Sequence, residues 1–139
     1  MVTADDSIPL TLPTVDWLLI DGMLDNVAAC ERVGGDPRVE HAATSIRQAG
    51  WDQLPDWPST VEGFSRWPAV GQRSTLRLTL DEWQLIVDQL ERDAPVEDSI
   101  ANDPRLPAEV RQMHTDSALR SRAIASSVRS ALASPAAEE

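Results

Sequence analysis

Two stretches of the chain alternate apolar and polar residues and then switch to a helical spacing. Leu10, Thr11 and Leu12 alternate, as do Leu76, Arg77 and Leu78, with Leu80 extending the second run. Period two with one apolar face predicts a short strand at each place. Behind the second strand, Thr79 and Glu82 have the T-x-x-E spacing of a capping box, which opens a helix. Trp83, Ile86, Val87 and Leu90 follow at i, i+3, i+4 and i+7, one stripe of an amphipathic helix. Trp17, Ile20, Leu24 and Val27 make the same stripe behind the first strand, with Thr14 as its N-cap and Gly34 and Gly35 as its stop. Leu18 and Leu19 widen that stripe and predict burial on more than one side.

A second helix is expected in each half, opened by an Asp-Pro pair. Asp36 can accept hydrogen bonds from the first free amides, and Pro37 sits where a missing N–H costs nothing. Its apolar face would be Val39, Ala42, Ala43, Ile46 and Ala49. The later helix starts at Asp103 and Pro104, or is re-set by Pro107, and its face would be Val110, Met113, Ser117, Ile124 and Val128. This last segment is rich in alanine and serine, so it reads as a helix needing something to pack against.

The halves resemble one another. Residues 10–24 set over residues 76–90, an offset of 66, share six identities in fifteen positions: Leu10/Leu76, Leu12/Leu78, Trp17/Trp83, Leu19/Leu85, Ile20/Ile86 and Leu24/Leu90. One inserted residue later, Asp36-Pro37-Arg38-Val39 matches Asp103-Pro104-Arg105-Leu106. Self-similarity at fixed spacing predicts one supersecondary unit used twice. The expected architecture is therefore α+β and mostly helical, an internally duplicated strand-helix-helix unit with a short two-stranded β-ribbon. The strands would pair with each other, or with those of a second chain, since two short strands are marginal alone. Residues 1–139 are read as one domain, with a first repeat at 8–49, a connector at 50–73, a second repeat at 74–133 and a frayed tail at 134–139.

The connector differs in composition. Trp51, Trp57 and Trp67 and the sole phenylalanine, Phe64, lie there, and Trp57 and Trp67 each precede a proline. Proline favours extended backbone at the residue before it, so little regular helix is expected beyond a turn within residues 59–65. Large rings are ordinary core material, and one reading folds these four back to cap a shared core. The other makes them anchors for a partner's pockets, because tryptophan is enriched at binding hot spots and long irregular connections are often functional. Joint exposure of any two of Trp51, Trp57 and Trp67 separates the readings.

Charge narrows the partners. All 12 basic residues are arginine, against 23 acidic residues, for a net charge of -11. Such a field repels nucleic acid and suits a partner with a basic surface. No apolar run is long enough to cross a bilayer, the start of the chain lacks the pattern of a secretory signal, and a single cysteine cannot form an internal disulfide. A cytoplasmic protein without membrane contact is expected.

Motifs for chemistry are missing. With His41, His114 and Cys30 scattered, no metal-binding spacing occurs, and no phosphate-cradling or nucleophile-elbow motif is present. Cys30 reads as a small core residue and both histidines as partly exposed helix residues. Asp21 and Asp25 read as a repulsive pair on a solvated helix face. No catalytic residue, metal ligand or cofactor is expected. The favoured function is a small accessory or inhibitory module that binds another protein through Trp51, Trp57, Phe64 and Trp67. One alternative is a small-molecule-binding protein or enzyme with its site at the interface of the two repeats. The other is a structural subunit that self-associates as a homo-oligomer through its strands.

Overall fold

The computed structural model describes residues 6–134. The predicted frayed tail lies outside them apart from Ser134. The elements run β1 (Ser7–Pro13), α1 (Thr14–Arg32), α2 (Pro37–Gln53), a 3-10 turn (Glu62–Ser65), β2 (Arg73–Thr79), α3 (Leu80–Ala101) and α4 (Ala108–Leu132). The class is α+β with helix dominant, and the only sheet among the described residues is the antiparallel pair β1–β2. The chain divides into two compact units, Met1–Glu82 and Trp83–Glu139.

In the first unit the ribbon is longer than the alternation suggested, with seven residues on each side and Leu10 opposite Leu76. Ser74, Leu76 and Leu78 are buried while Arg73, Thr75, Arg77 and Thr79 are exposed, the two faces of a half-buried strand. Leu80 does not continue the run. The capping box intervenes: the Thr79 N–H donates to Glu82 Oε1 (2.8 Å) and the Glu82 N–H to Thr79 Oγ1 (3.2 Å), so α3 begins at Leu80, which is exposed.

Both outer edges of the ribbon are blunted. The side-chain amide of Gln53 pairs with the backbone of Arg77, donating to its carbonyl (3.0 Å) and accepting from its N–H (2.7 Å). Arg77 therefore turns its backbone groups away from β1, and the odd-numbered residues of both strands face outwards. On β1 those positions include Pro9 and Pro13, which have no N–H to offer.

The two helices of this unit pack with little between them. Trp17, Ile20, Leu24 and Ala28 of α1 are buried, as are Ala43, Ile46 and Gly50 of α2. A Cβ on Gly50 would lie 2.5 Å from the Trp17 ring, so glycine is what lets the helix backbone seat on the indole. Helix α2 thus does not stop at residue 49, where the first repeat was expected to end, but runs through Gln53, with Trp51 in its last turn. The start of α2 is as expected, with Asp36 Oδ1 accepting from the Arg38 N–H (2.9 Å) and Pro37 in the first turn.

Three local expectations fail for physical reasons. Thr14 is not the N-cap of α1. Pro13 holds that position, and the Thr14 hydroxyl is instead bonded to that of Ser74 (2.7 Å) in the buried seam between helix and strand. Cys30 is exposed rather than core, because two residues past buried Ala28 is more than half a helical turn away. Asp21 and Asp25 do not repel one another across solvent. Both accept from Arg47 of α2, at 3.1 and 2.8 Å, and Asp21 is only 8% exposed.

In the second unit α3 buries Trp83, Ile86, Val87, Leu90 and Ala94, and α4 buries Ala118, Ser121, Ile124, Ala125 and Val128. Helix α4 starts after Pro107, the later of the two expected starts. Of the expected face, Met113 lies on the exposed side at 66%, while Val110 and Ser117 are half-buried and Arg111 and His114 complete that side. The pairs Arg122–Asp98, Arg129–Glu91 and His114–Glu97 tie α4 to α3.

The Gly50 contact yields a paired test. Gly50→Ala should cost about 1–3 kcal/mol through overpacking against Trp17. Gly22→Ala, in the middle of α1 with nothing within 4 Å, should gain about 0.5–1 kcal/mol from helix propensity alone. Urea denaturation of the two variants checks the signs, and a neutral Gly50→Ala would contradict the close seating.

Candidate functional site: the ring cluster of the connector

The connector folds as a series of tight turns, each closed by a local bond. The Trp57 N–H donates to Leu54 O (3.1 Å), the Gly63 N–H to Thr60 O (3.2 Å) and the Gln72 N–H to Ala69 O (3.0 Å). Gly63 lies against the Pro58 ring, where a Cβ would come within 2.6 Å. Asp56 gathers the far end, accepting from Trp67 Nε1 (2.8 Å) and Gln72 Nε2 (3.5 Å). Gln72 in turn accepts from the Ala69 N–H (2.9 Å), one residue before β2 begins.

These turns bring the four aromatic residues of the segment into one cluster. Trp57 lies at its centre, with ring centroids 6.5 Å from Trp51, 6.1 Å from Phe64 and 5.4 Å from Trp67. Phe64 and Trp67 also meet, at 5.9 Å. Three of the four contacts are edge-to-face, the arrangement that the ring quadrupole favours. The Arg47 guanidinium lies 4.8 Å over the Trp51 ring, so the charge that clasps Asp21 and Asp25 also braces the cluster.

None of the four rings is buried. Trp51 is 37% exposed and Phe64 41%, while Trp57 and Trp67 are half-buried. The buried tryptophans are Trp17 and Trp83. Val61 and Val70, on the turns beside the rings, stand fully in solvent. The sequence pattern does not single out Arg47 and Asp56. Arg47 precedes Trp51 by four residues on one helix, a spacing that places them side by side. The Asp56–Trp67 bond depends on the path of the connector and has no local signal.

Elsewhere the described residues offer little chemistry. No group of three or more His, Cys, Asp or Glu could hold a metal ion. His41 is exposed and His114 is held by Glu97. An open depression of about 440 Å³ on α3 is lined by Leu85, Asp88, Gln89, Glu91 and Arg92. Its Glu91 carboxyl is held below the usual range by the hydrogen bond from Arg129. Among the described residues no helix is long and apolar enough to cross a membrane.

One carboxyl does depart upwards. Partial burial raises Asp93, and the neighbouring Glu97 charge raises it further. A group that binds its proton more tightly folded than unfolded favours the fold at acid pH, below its unfolded pKa near 3.8. That advantage is lost as pH rises through the folded value. Asp93→Asn should therefore raise the melting temperature at neutral pH, with the gain shrinking on acidification through the carboxylate range. A gain independent of pH, or a loss at neutral pH, would contradict the assignment. No protein-family model matches this chain, and neither the curated proteins nor the solved structures contain one that matches it.

Proposed function

We propose that this chain is a small accessory or inhibitory module that binds another protein through the cluster of Trp51, Trp57, Phe64 and Trp67. The observation that carries the reading is the placement of these rings. A chain with five tryptophans keeps two in its cores and gathers the other three, with its sole phenylalanine, at the surface. Rings that already bury part of one another are ordered before a partner arrives, so less side-chain freedom remains to be lost on binding. Rigid aromatic anchors beside exposed apolar residues are the composition of an interaction hot spot. The net charge of -11 adds long-range steering toward a basic surface.

The scaffold reads best as one strand-helix-helix unit used twice. Three of the pairs equated by the offset of 66 share the same burial: Trp17 and Trp83, Ile20 and Ile86, and Leu24 and Leu90 are each fully buried. The Asp-Pro-Arg motifs repeat a local geometry as well. Asp36 accepts from the Arg38 N–H at 2.9 Å and Asp103 from the Arg105 N–H at 3.0 Å. The blunted edges of the ribbon weigh against self-association through its strands.

Capture from native cell lysate at low and high salt tests the binding reading, with a Trp57→Ala, Trp67→Ala double variant alongside. A partner retained by the native chain and lost by the variant, whose helical circular dichroism is unchanged, is the expected result. Capture that is indifferent to both rings would move the docking surface elsewhere, and no capture under either condition would contradict the reading.

A further inference from the structure

We infer that Arg47 and the buried Asp21 behind it are positioning residues of the ring cluster, setting the pose of Trp51 that a partner meets. The partner in that statement rests on the protein-binding reading above, whereas the pose of Trp51 is a property of the free chain.

Trp51 is the ring of the four least held by the others. Trp57 meets three rings, and Phe64 and Trp67 meet two each, whereas Trp51 meets Trp57 alone. Trp67 is tied further by its indole bond to Asp56. Trp51 lies in the last turn of α2, where helices fray, and it is exposed. A side chain so placed keeps its choice of rotamers unless something fixes it, and freedom of that kind must be given up on binding. The second restraint on Trp51 is the Arg47 guanidinium, 4.8 Å from the centre of its ring and one helical turn before it.

Arg47 supplies that restraint because its own position is set from α1. Its Nε donates to Asp21 Oδ1 (3.1 Å), Nη2 to Asp21 Oδ2 (3.4 Å) and Nη1 to Asp25 Oδ1 (2.8 Å). The N–H bonds of a guanidinium lie in its plane, so carboxylates can hold its edges while a face stays available to an indole. The two carboxylates are not equivalent. Asp25 takes one of the three bonds and is exposed, whereas Asp21 takes two and is buried. Burial puts Asp21 out of a partner's reach, so its effect on the docking surface passes through Arg47. The chain of contacts runs from the α1–α2 seam to the outermost ring: Asp21, Arg47, Trp51.

The test uses the full chain labelled with 5-fluorotryptophan, with the Trp51 fluorine resonance assigned by Trp51→Phe and helical circular dichroism as the check on folding. Arg47→Lys leaves a cation for both carboxylates but no flat face. It should shift the Trp51 resonance toward that of free 5-fluorotryptophan and increase its broadening by a soluble paramagnetic quencher. Asp21→Asn should do the same, and Arg47→Lys decides the question by itself where Asp21→Asn does not fold. In an Arg47→Met background Asp21→Asn should add nothing, because the link is already cut. Leu78→Val, which loosens the buried face of β2 without removing a charge, should leave the resonance in place. A Trp51 resonance unmoved by Arg47→Lys, moved equally by Leu78→Val, or moved further by Asp21→Asn in the Arg47→Met background overturns the inference. A ring-dependent partner captured from lysate should bind the Asp21→Asn variant about two- to thirtyfold more weakly. If the resonance responds and no partner is captured, the binding reading alone fails; if a partner is captured and the resonance does not respond, the positioning role alone fails.

Discussion

The antiparallel pairing of β1 with β2 is the constraint on which the first unit depends. It joins residues 60 or more positions apart in sequence, and closing a loop of that length costs roughly 4 kcal/mol in chain entropy. The ladder alone is a poor return on that cost, because an isolated two-stranded ribbon is marginal in water. What offsets it is the buried face, Leu76 and Leu78 with Leu12, and the sealed polar contact between Thr14 and Ser74. The same pairing fixes where each helix can begin. Helix α1 leaves β1 at Thr14, whose N–H still donates to Gln72 O (2.9 Å), and α3 leaves β2 through its capping box.

Once the strands are paired, the connector has little freedom. It must leave the end of α2 and return to the start of β2 at Arg73, and Gln53 is bonded to the β2 edge at Arg77. The intervening residues are forced into short turns, and short turns crowd their side chains. Four aromatic residues in so compact a path meet one another before they reach a core, and Trp57 is the ring that the other three surround. The cluster is thus a consequence of topology as much as of composition. The four rings touch one another and none is buried, which is the arrangement the proposed binding role requires.

The elements were legible where the signal is local. The stripes of Trp17, Ile20 and Leu24 and of Trp83, Ile86 and Leu90, the Thr79–Glu82 box and the Asp36 cap depend on residues within one or two turns, and the structure has them as written in the sequence. The failures are tertiary. Thr14 gave up capping because Ser74, 60 residues away, offers its hydroxyl a buried partner. Residue 50 was placed at the start of the connector and lies inside α2, where Trp17 occupies the space a side chain would need. Asp21 looked solvated and is covered by Arg47. At the site, the residue types were readable, and Trp51, Trp57, Phe64 and Trp67 do come together. Their mutual packing and the supports from Arg47 and Asp56 depend on the fold of the connector, which no period in the sequence encodes.

The account turns on a division among the tryptophans, two sealed in the cores and three sharing an outward-facing cluster. Fluorine NMR of the chain labelled with 5-fluorotryptophan, with a soluble paramagnetic quencher added stepwise, measures that division directly. Two resonances, assigned to Trp17 and Trp83 by substitution, should resist broadening, while those of Trp51, Trp57 and Trp67 broaden and shift together when any one of the three is replaced. Five resonances equally protected from the quencher would put the connector rings in a core and contradict the account.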